Sequence, residues 1–121
     1  MKTIMLVDDV EISNYIHKKI IANNSAPSKV FAFTDPAKAL QSLEEINPDI
    51  IFLDLNMPVI DGWKFLDILK ETDKTCGVYI LTSSTSELDK QRSVDYANVI
   101  NFLIKPVTPA KISEILNSVI I

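Results

Sequence analysis

The chain has 121 residues, of which 47% are hydrophobic and 23% charged, and a formal net charge of −4. This length suits one domain with an ordinary core, which excludes a disordered chain, and the acidic balance argues against direct nucleic-acid binding. One cysteine, Cys76, excludes an internal disulfide or a thiolate metal cluster. The first residues are too soon charged for a secretory leader, and no apolar run reaches the roughly 20 residues that span a bilayer. A cytoplasmic protein without membrane insertion is expected.

Thr3–Val7, apolar and β-branched, is predicted as strand one, ending at Asp8-Asp9. A helix follows with Ile12, Ile16 and Ile20 as its inward stripe, closed by Asn23-Asn24-Ser25 and Pro27. Val30–Phe33 is strand two. Thr34 or Asp35 caps the second helix, with Pro36 in its first turn and Leu40 and Leu43 facing inward. Ile50–Leu53 is an unbroken apolar run, the mark of a strand buried on both faces. It delivers Asp54 near the surface on a rigid mount, before Pro58 and Gly62 turn the chain. Asp61-Gly62 starts a third helix with Phe65, Leu66 and Leu69 inward. Strand four, Val78–Leu81, ends at Thr82-Ser83-Ser84, and strand five, Ile100–Ile104, ends at Lys105-Pro106. Between them a fourth helix, about Ser86 to Ala97, lacks an apolar stripe and should be the loosest. Thr108 caps the fifth helix, striped by Ile112, Ile115, Leu116 and Val119.

Strands and helices thus alternate five times, which predicts an α/β fold with a parallel sheet between two helical layers. Such sheets bind ligands at the carboxyl ends of their strands, where Asp8, Asp9, Asp54, Thr82 and Lys105 all fall. Carboxylates gathered there repel one another and call for a cation. All-oxygen ligands favour Mg²⁺ or Mn²⁺. With an ammonium from Lys105 and a hydroxyl from Thr82, the set has the parts that stabilise a transferring phosphoryl group, with Asp54 as nucleophile.

Five motifs in order carry a resemblance that covers the whole chain: Asp8-Asp9, Asp54-Leu-Asn-Met-Pro-Val-Ile-Asp-Gly62, Leu81-Thr82-Ser83, Phe102 and Lys105-Pro106. The sequence resembles a response-regulator receiver domain of the chemotaxis-regulator type. The resemblance implies a doubly wound (βα)5 flavodoxin-like fold with strand order 2-1-3-4-5, one receiver domain over residues 1–121, and a stand-alone protein without an effector domain. It implies that Asp54 is the phosphoacceptor. Asp9, Asp54 and the backbone carbonyl of Asn56 would hold Mg²⁺, with Asp8 acting largely through water. Thr82 would bind a phosphoryl oxygen, Lys105 would pair with the phosphoryl group, and Phe102 would be a switch aromatic. The partners implied are a histidine kinase or histidine phosphotransfer protein and a downstream protein target. The target would meet the face of helix four, strand five and helix five. A cis Lys105–Pro106 peptide is also implied. Asn98 stands where the family favours Gly, and little effect is expected because Asn tolerates the left-handed conformation. Asn56 and Ser84 occupy positions that tune phosphoryl lifetime in the family.

Other readings stand beside these. Asp8-Asp9 could simply cap the first helix, and Phe102 could be core. His17 falls off the isoleucine stripe and reads as a solvated helix residue, Cys76 as a loop thiol, Trp63 and Tyr96 as packing or surface aromatics. Ile120-Ile121 is a partner-facing patch or the cut end of a longer chain. A Mg²⁺-dependent aspartyl-phosphate hydrolase is a rival function, but it wants a second Asp where this chain has Asn56. A receiver-like module that binds without phosphorylation is the other rival. The first expectation is a phosphorylation-dependent switch whose only chemistry is self-catalysed phosphoryl transfer and hydrolysis, not an enzyme.

Overall fold

The computed structural model describes residues 2–23, 27–72, 76–83, 87–105 and 107–118. Along the chain it has β1 (Lys2–Val7), α1 (Glu11–Ala22), β2 (Ser28–Phe33), α2 (Pro36–Gln41), α3 (Leu43–Ile46), β3 (Ile50–Asp54), α4 (Gly62–Lys70), β4 (Gly77–Thr82), α5 (Glu87–Ser93), β5 (Val99–Ile104) and α6 (Pro109–Ser118). The strands form one parallel sheet in the order β2-β1-β3-β4-β5, so the flavodoxin-like α/β expectation holds. The predicted Asn24-Ser25 helix end, Ser84, Ser86, the Lys105–Pro106 bond, Val119 and Ile120-Ile121 fall outside the described residues, wholly or in part.

The period-two geometry of the strands divides their apolar side chains between two cores. Met5, Val7, Ile51, Leu53, Val78 and Ile80 pack with Ala39, Leu43, Phe65, Leu66 and Leu69 from α2, α3 and α4. Ile4, Leu6, Ile50, Phe52, Tyr79 and Leu81 pack on the other side with Ile21 of α1 and Ile112, Ile115 and Leu116 of α6. All five residues of β3 are buried, as a central strand requires. The chain winds outward in opposite directions from β1 and β3, which places the topological switch point between their carboxyl ends.

The expected caps form. The Asp35 carboxylate accepts from the Ala37 N–H (3.0 Å) with Pro36 in the first turn of α2. Asp61 accepts from the Lys64 N–H (2.9 Å) at the start of α4, and Thr108 Oγ1 accepts from the Lys111 N–H (3.2 Å) at α6.

Four expectations change. The inward face of α1 is Asn14, His17 and Ile21; of the predicted stripe only Ile20 packs, partly buried, against the core, whereas Ile12 is 61% exposed and Ile16 43%. His17, expected in solvent, is 4% exposed. Asn14 holds the inward face because its amide donates to the Asp8 carbonyl (3.0 Å) and the Phe33 carbonyl (3.1 Å), tying β1, α1 and β2 together, whereas His17 Nε2 is buried without a hydrogen-bond partner. The second helix divides into α2 and α3 at Ser42, whose hydroxyl donates to the Lys38 carbonyl (2.9 Å) in the back-bonding that bends helices. The predicted fourth and fifth helices are therefore α5 and α6. Among the described non-glycine residues positive φ occurs only at Asn47 and Val59, so Asn98 does not use a left-handed conformation. Cys76 lies in the loop before β4, as expected, and is buried there.

The fourth predicted helix is shorter than expected, seven residues, and buries only Ser93, with Leu88 and the following Val94 exposed. By contrast α4 buries Phe65, Leu66 and Leu69, each worth roughly 1.5–3 kcal/mol. What tethers α5 is an aromatic and ionic bracket. The Arg92 guanidinium lies 4.4 Å from the Trp63 ring centre, Trp63 meets Tyr96 at 5.8 Å, and the Tyr96 hydroxyl donates to Asp67 (2.8 Å).

Val59 is the strained residue. Its φ is +68°, and the Ile60 N–H donates to the Pro58 carbonyl two residues back (2.8 Å), closing the rare γ-turn form that has positive φ. A β-branched side chain there costs about 1–2 kcal/mol, and Val59 is fully exposed, so no burial compensates. Val59→Asn is expected to raise stability by roughly 1 kcal/mol. A urea midpoint at or below that of the parent would count against the strain.

Candidate functional site

The parallel register sets the carboxyl ends of four strands side by side. Val7 pairs with Leu53, Asp54 with Leu81, and Thr82 with Ile104, so Asp8, Asp54, Thr82 and Lys105 emerge at one edge. Carboxylate oxygens of Asp8, Asp9 and Asp54 lie within 4.8 Å of one another. Lys105 Nζ bridges the group, 2.5 Å from Asp8 Oδ2 and 3.6 Å from Asp54 Oδ2. Thr82 is fully buried at the end of β4, and its carbonyl accepts from the Lys105 N–H (2.8 Å), which joins the two residues' backbones.

The site is more enclosed than expected. Asp8 and Asp54 are each 4% exposed, so Asp54 is not the surface carboxylate that the strand-end reading predicts. The Asn56 N–H, in the loop beyond β3, donates to Asp54 Oδ1 (3.3 Å). Asn56 itself is exposed, and Asp9 is half-buried. Phe102 is half-buried against the α2–α4 core, between the switch and core readings. The capping alternative for Asp8-Asp9 does not describe this geometry: α1 has Val10 at its N-cap position and no side-chain cap.

The two buried carboxylates are driven apart electrostatically. Burial pushes Asp54 up, the Asp8 charge adds to it, and Asp9 adds a little more. Against Lys105 and the Asn56 N–H these raise its pKa to about 6. For Asp8, burial also favours the neutral acid, but hydrogen bonds from Lys105, Ser13 and the Val10 N–H outweigh it and hold the carboxyl below its ordinary value. Asp8 is thus a fixed anion, and Asp54 is ionised at neutral pH under repulsion.

Two observations test whether a cation fits. Asp9 Oδ1 is buried with no hydrogen-bond partner, and the Lys105 ammonium pairs with Asp8 and Asp54, two of the three clustered carboxylates. An oxygen-only donor set with an unsatisfied buried oxygen suits a hard divalent ion such as Mg²⁺. Removing the ammonium should be costly. Lys105→Ala is expected to lower stability at pH 8 by roughly 2–3 kcal/mol, because it leaves buried carboxylates without a counter-charge. At pH 4 the loss should shrink as Asp54 protonates. Urea denaturation at both pH values measures this, and equal losses would contradict it.

The motif reading missed the residues that support Asp8. The Ser13 hydroxyl donates to Asp8 Oδ2 (2.6 Å), the Val10 N–H donates to Asp8 Oδ1 (3.0 Å), and the Asn14 amide donates to the Asp8 carbonyl (3.0 Å). Burial holds the His17 imidazole below its usual range, against a hydrogen bond to the Ser13 backbone. The available signal was a polar set at helical spacing, Ser13, Asn14 and His17, just after an acidic pair.

Comparison with known proteins accords with this geometry. Residues 4–117 match the family model for the response regulator receiver domain. The chain is 30% identical over 111 residues to the cyclic di-GMP phosphodiesterase response regulator RpfG of Xanthomonas campestris, covering 90% of this chain and 29% of that protein. It is 34% identical over 84 residues to the transcriptional regulatory protein PrrA of Mycobacterium tuberculosis, covering 69% of this chain and 36% of that one. The chain therefore spans about a third of the length of these curated relatives. Among solved structures, the chemotaxis protein CheY4 of Vibrio cholerae superposes with a TM-score of 0.84 at 25% identity, covering 99% of both chains. The chain belongs to the response regulator receiver domain family.

Proposed function

We propose that Asp54 is the residue that carries the phosphoryl group, received from a phosphohistidine of a histidine kinase or phosphotransfer protein. The observation that carries this reading is the enclosed Asp8–Asp9–Asp54 cluster bridged by Lys105. With a pKa of about 6, Asp54 is mostly anionic at neutral pH and so supplies a nucleophilic oxygen. An Asp54 oxygen–phosphorus bond forms as the phosphorus–nitrogen bond of the donor breaks, and the imidazole nitrogen takes the electron pair.

Asp9, Asp54 and the Asn56 carbonyl would hold Mg²⁺, or Mn²⁺, with Asp8 acting largely through water. The bound ion supplies positive charge that offsets the phosphoryl oxygens. Lys105 Nζ needs only to leave Asp8 to pair with a phosphoryl oxygen on Asp54, already 3.6 Å away at the carboxylate. Thr82, at the end of the adjoining strand, would donate to another. Phosphorylation adds roughly −1.5 to −2 charge, and the response would run through Phe102 to the face made by α5, β5 and α6. Support for that direction is the sparse burial of α5 and the exposed Ile100 and Ile104 on β5. This biases a pre-existing equilibrium and calls for a downstream protein target. Receiver domains as a class are switches, and turnover of a separate substrate is not part of this reading. A cytoplasmic setting suits such partners, and among the described residues no helix is long and apolar enough to cross a membrane.

Incubation with a small acyl phosphate, with and without Mg²⁺, followed by intact-mass measurement tests the reading. One metal-dependent phosphoryl group per chain is expected. Multiple turnover of a phosphate ester would support a hydrolase instead, and no adduct from either small donor or kinase would support a module that binds without phosphorylation.

A further inference from the structure

We infer that Ser13 is a positioning residue for the phosphoryl-transfer site, acting through Asp8; this rests on the proposed role of the carboxylate cluster. Ser13 lies in the first turn of α1, and its hydroxyl is 2.6 Å from Asp8 Oδ2, the oxygen that Lys105 also meets at 2.5 Å. The other carboxylate oxygen takes the Val10 N–H at 3.0 Å. Two neutral donors from the α1 entry therefore fix both ends of the carboxylate and with them its rotation about χ2. The backbone beneath is fixed as well, because the buried Asn14 amide bonds the Asp8 carbonyl.

A helix-start serine could serve stability alone, but this one has another acceptor. In a capping arrangement the hydroxyl oxygen accepts a backbone N–H. Here the hydroxyl donates to a buried carboxylate on a different element, one that faces Asp9 and Asp54. An aliphatic residue at this place would leave Lys105 as the only side chain holding Asp8 Oδ2 among the contacts above. The carboxylate could then follow the lysine, and its presentation to the other two carboxylates would be lost whenever Lys105 moves toward Asp54. Ser13 keeps Asp8 in place while Lys105 is free to move. Outer partners that orient ligating carboxylates typically account for 10–100-fold in metal affinity.

The test is calorimetric titration of Mg²⁺, with Mn²⁺ as a second probe, into the parent protein and into Ser13→Ala, Ser13→Thr and Asp8→Asn, alongside thermal melts. Ser13→Ala should weaken Mg²⁺ binding about tenfold, and Ser13→Thr, which keeps the hydroxyl, should restore most of it. In phosphorylation assays the Mg²⁺ concentration for half-maximal rate should rise by a similar factor, with a smaller change in the rate at saturating metal. Loss of stability in Ser13→Ala with unchanged Mg²⁺ affinity, while Asp8→Asn weakens binding, would overturn the role of Ser13 and leave the site reading intact. Unchanged affinity in Asp8→Asn, or no Mg²⁺ binding by the parent, would overturn both.

Discussion

Asp54→Asn is expected to take up no phosphoryl group and, at pH 8, to be more stable than the parent by roughly 1–3 kcal/mol. The first effect follows from removing the proposed nucleophile. The second follows from the pKa near 6, raised by burial and by the Asp8 charge. A carboxyl whose folded pKa lies above the ordinary 3.8 favours folding in its neutral form. Its contribution is complete at low pH and is lost as pH rises from about 4 to about 6. A shift of that size is at most about 3 kcal/mol, and the amide, which must also be solvated or bonded, recovers part of it. The advantage of Asp54→Asn should therefore fade toward pH 4. Asp8 runs the other way: its pKa is lowered, so its contribution is present above the ordinary carboxylate pKa and is lost on acidification. Mg²⁺ should stabilise the parent at pH 8 and stabilise Asp54→Asn much less. Melting curves at pH 4 and pH 8, with and without Mg²⁺, measure all of this. A pH-independent difference would mean that Asp54 is not under repulsion.

Gly62→Ala is expected to cost roughly 2–3 kcal/mol and to slow phosphorylation as well. A Cβ at Gly62 would lie 2.7 Å from the Asp54 carbonyl oxygen, 2.7 Å from Leu55 Cα and 2.8 Å from Leu55 Cδ2. Two of these are backbone atoms of the segment that carries Asp54, the proposed nucleophile, so relief requires the start of α4 to move off the end of β3. The Gly62 N–H bond to the Leu55 carbonyl (3.0 Å) opposes that movement, and overpacking of this kind typically costs about 1–3 kcal/mol. Gly77→Ala is the control. Its Cβ would meet only the end of the exposed Ile100 side chain, which can rotate away. Denaturant midpoints and phosphorylation rates of both variants decide the matter: a Gly62→Ala protein as stable as Gly77→Ala would show that the close approach is not rigid.

The parts of this molecule that announce themselves in sequence are those with a single physical solution. Ile50–Leu53 is apolar without interruption and can only be a doubly buried strand. Asp35-Pro36, Asp61-Gly62 and Thr108-Pro109 mark helix starts through chemistry local to two or three residues. The carboxyl-edge placement of Asp8, Asp54, Thr82 and Lys105 follows from parallel strands alone. The inward face of α1 was illegible because two periodic faces compete there. The apolar one, Ile12 and Ile16, lost to Asn14 and His17, and the burial of Asn14 depends on the Asp8 and Phe33 carbonyls, which lie near only once the sheet exists. The enclosure of Asp54 was missed for a related reason. A strand end reads as surface, yet here Asn56 returns over it and Lys105 comes in from β5, an effect of tertiary structure. Ser13 went unseen because serine in a first helical turn is ordinary, and only the 2.6 Å approach to Asp8 gives it a function.

The central claim is that the phosphoryl group resides on Asp54. Phosphorylating the parent protein with Mg²⁺, reducing the acyl phosphate with borohydride and sequencing the peptides by mass spectrometry locates it directly. The structure predicts modification at Asp54 alone and none without prior phosphorylation. Modification at Asp8 or Asp9, or a phosphoryl group retained by Asp54→Asn, would contradict it.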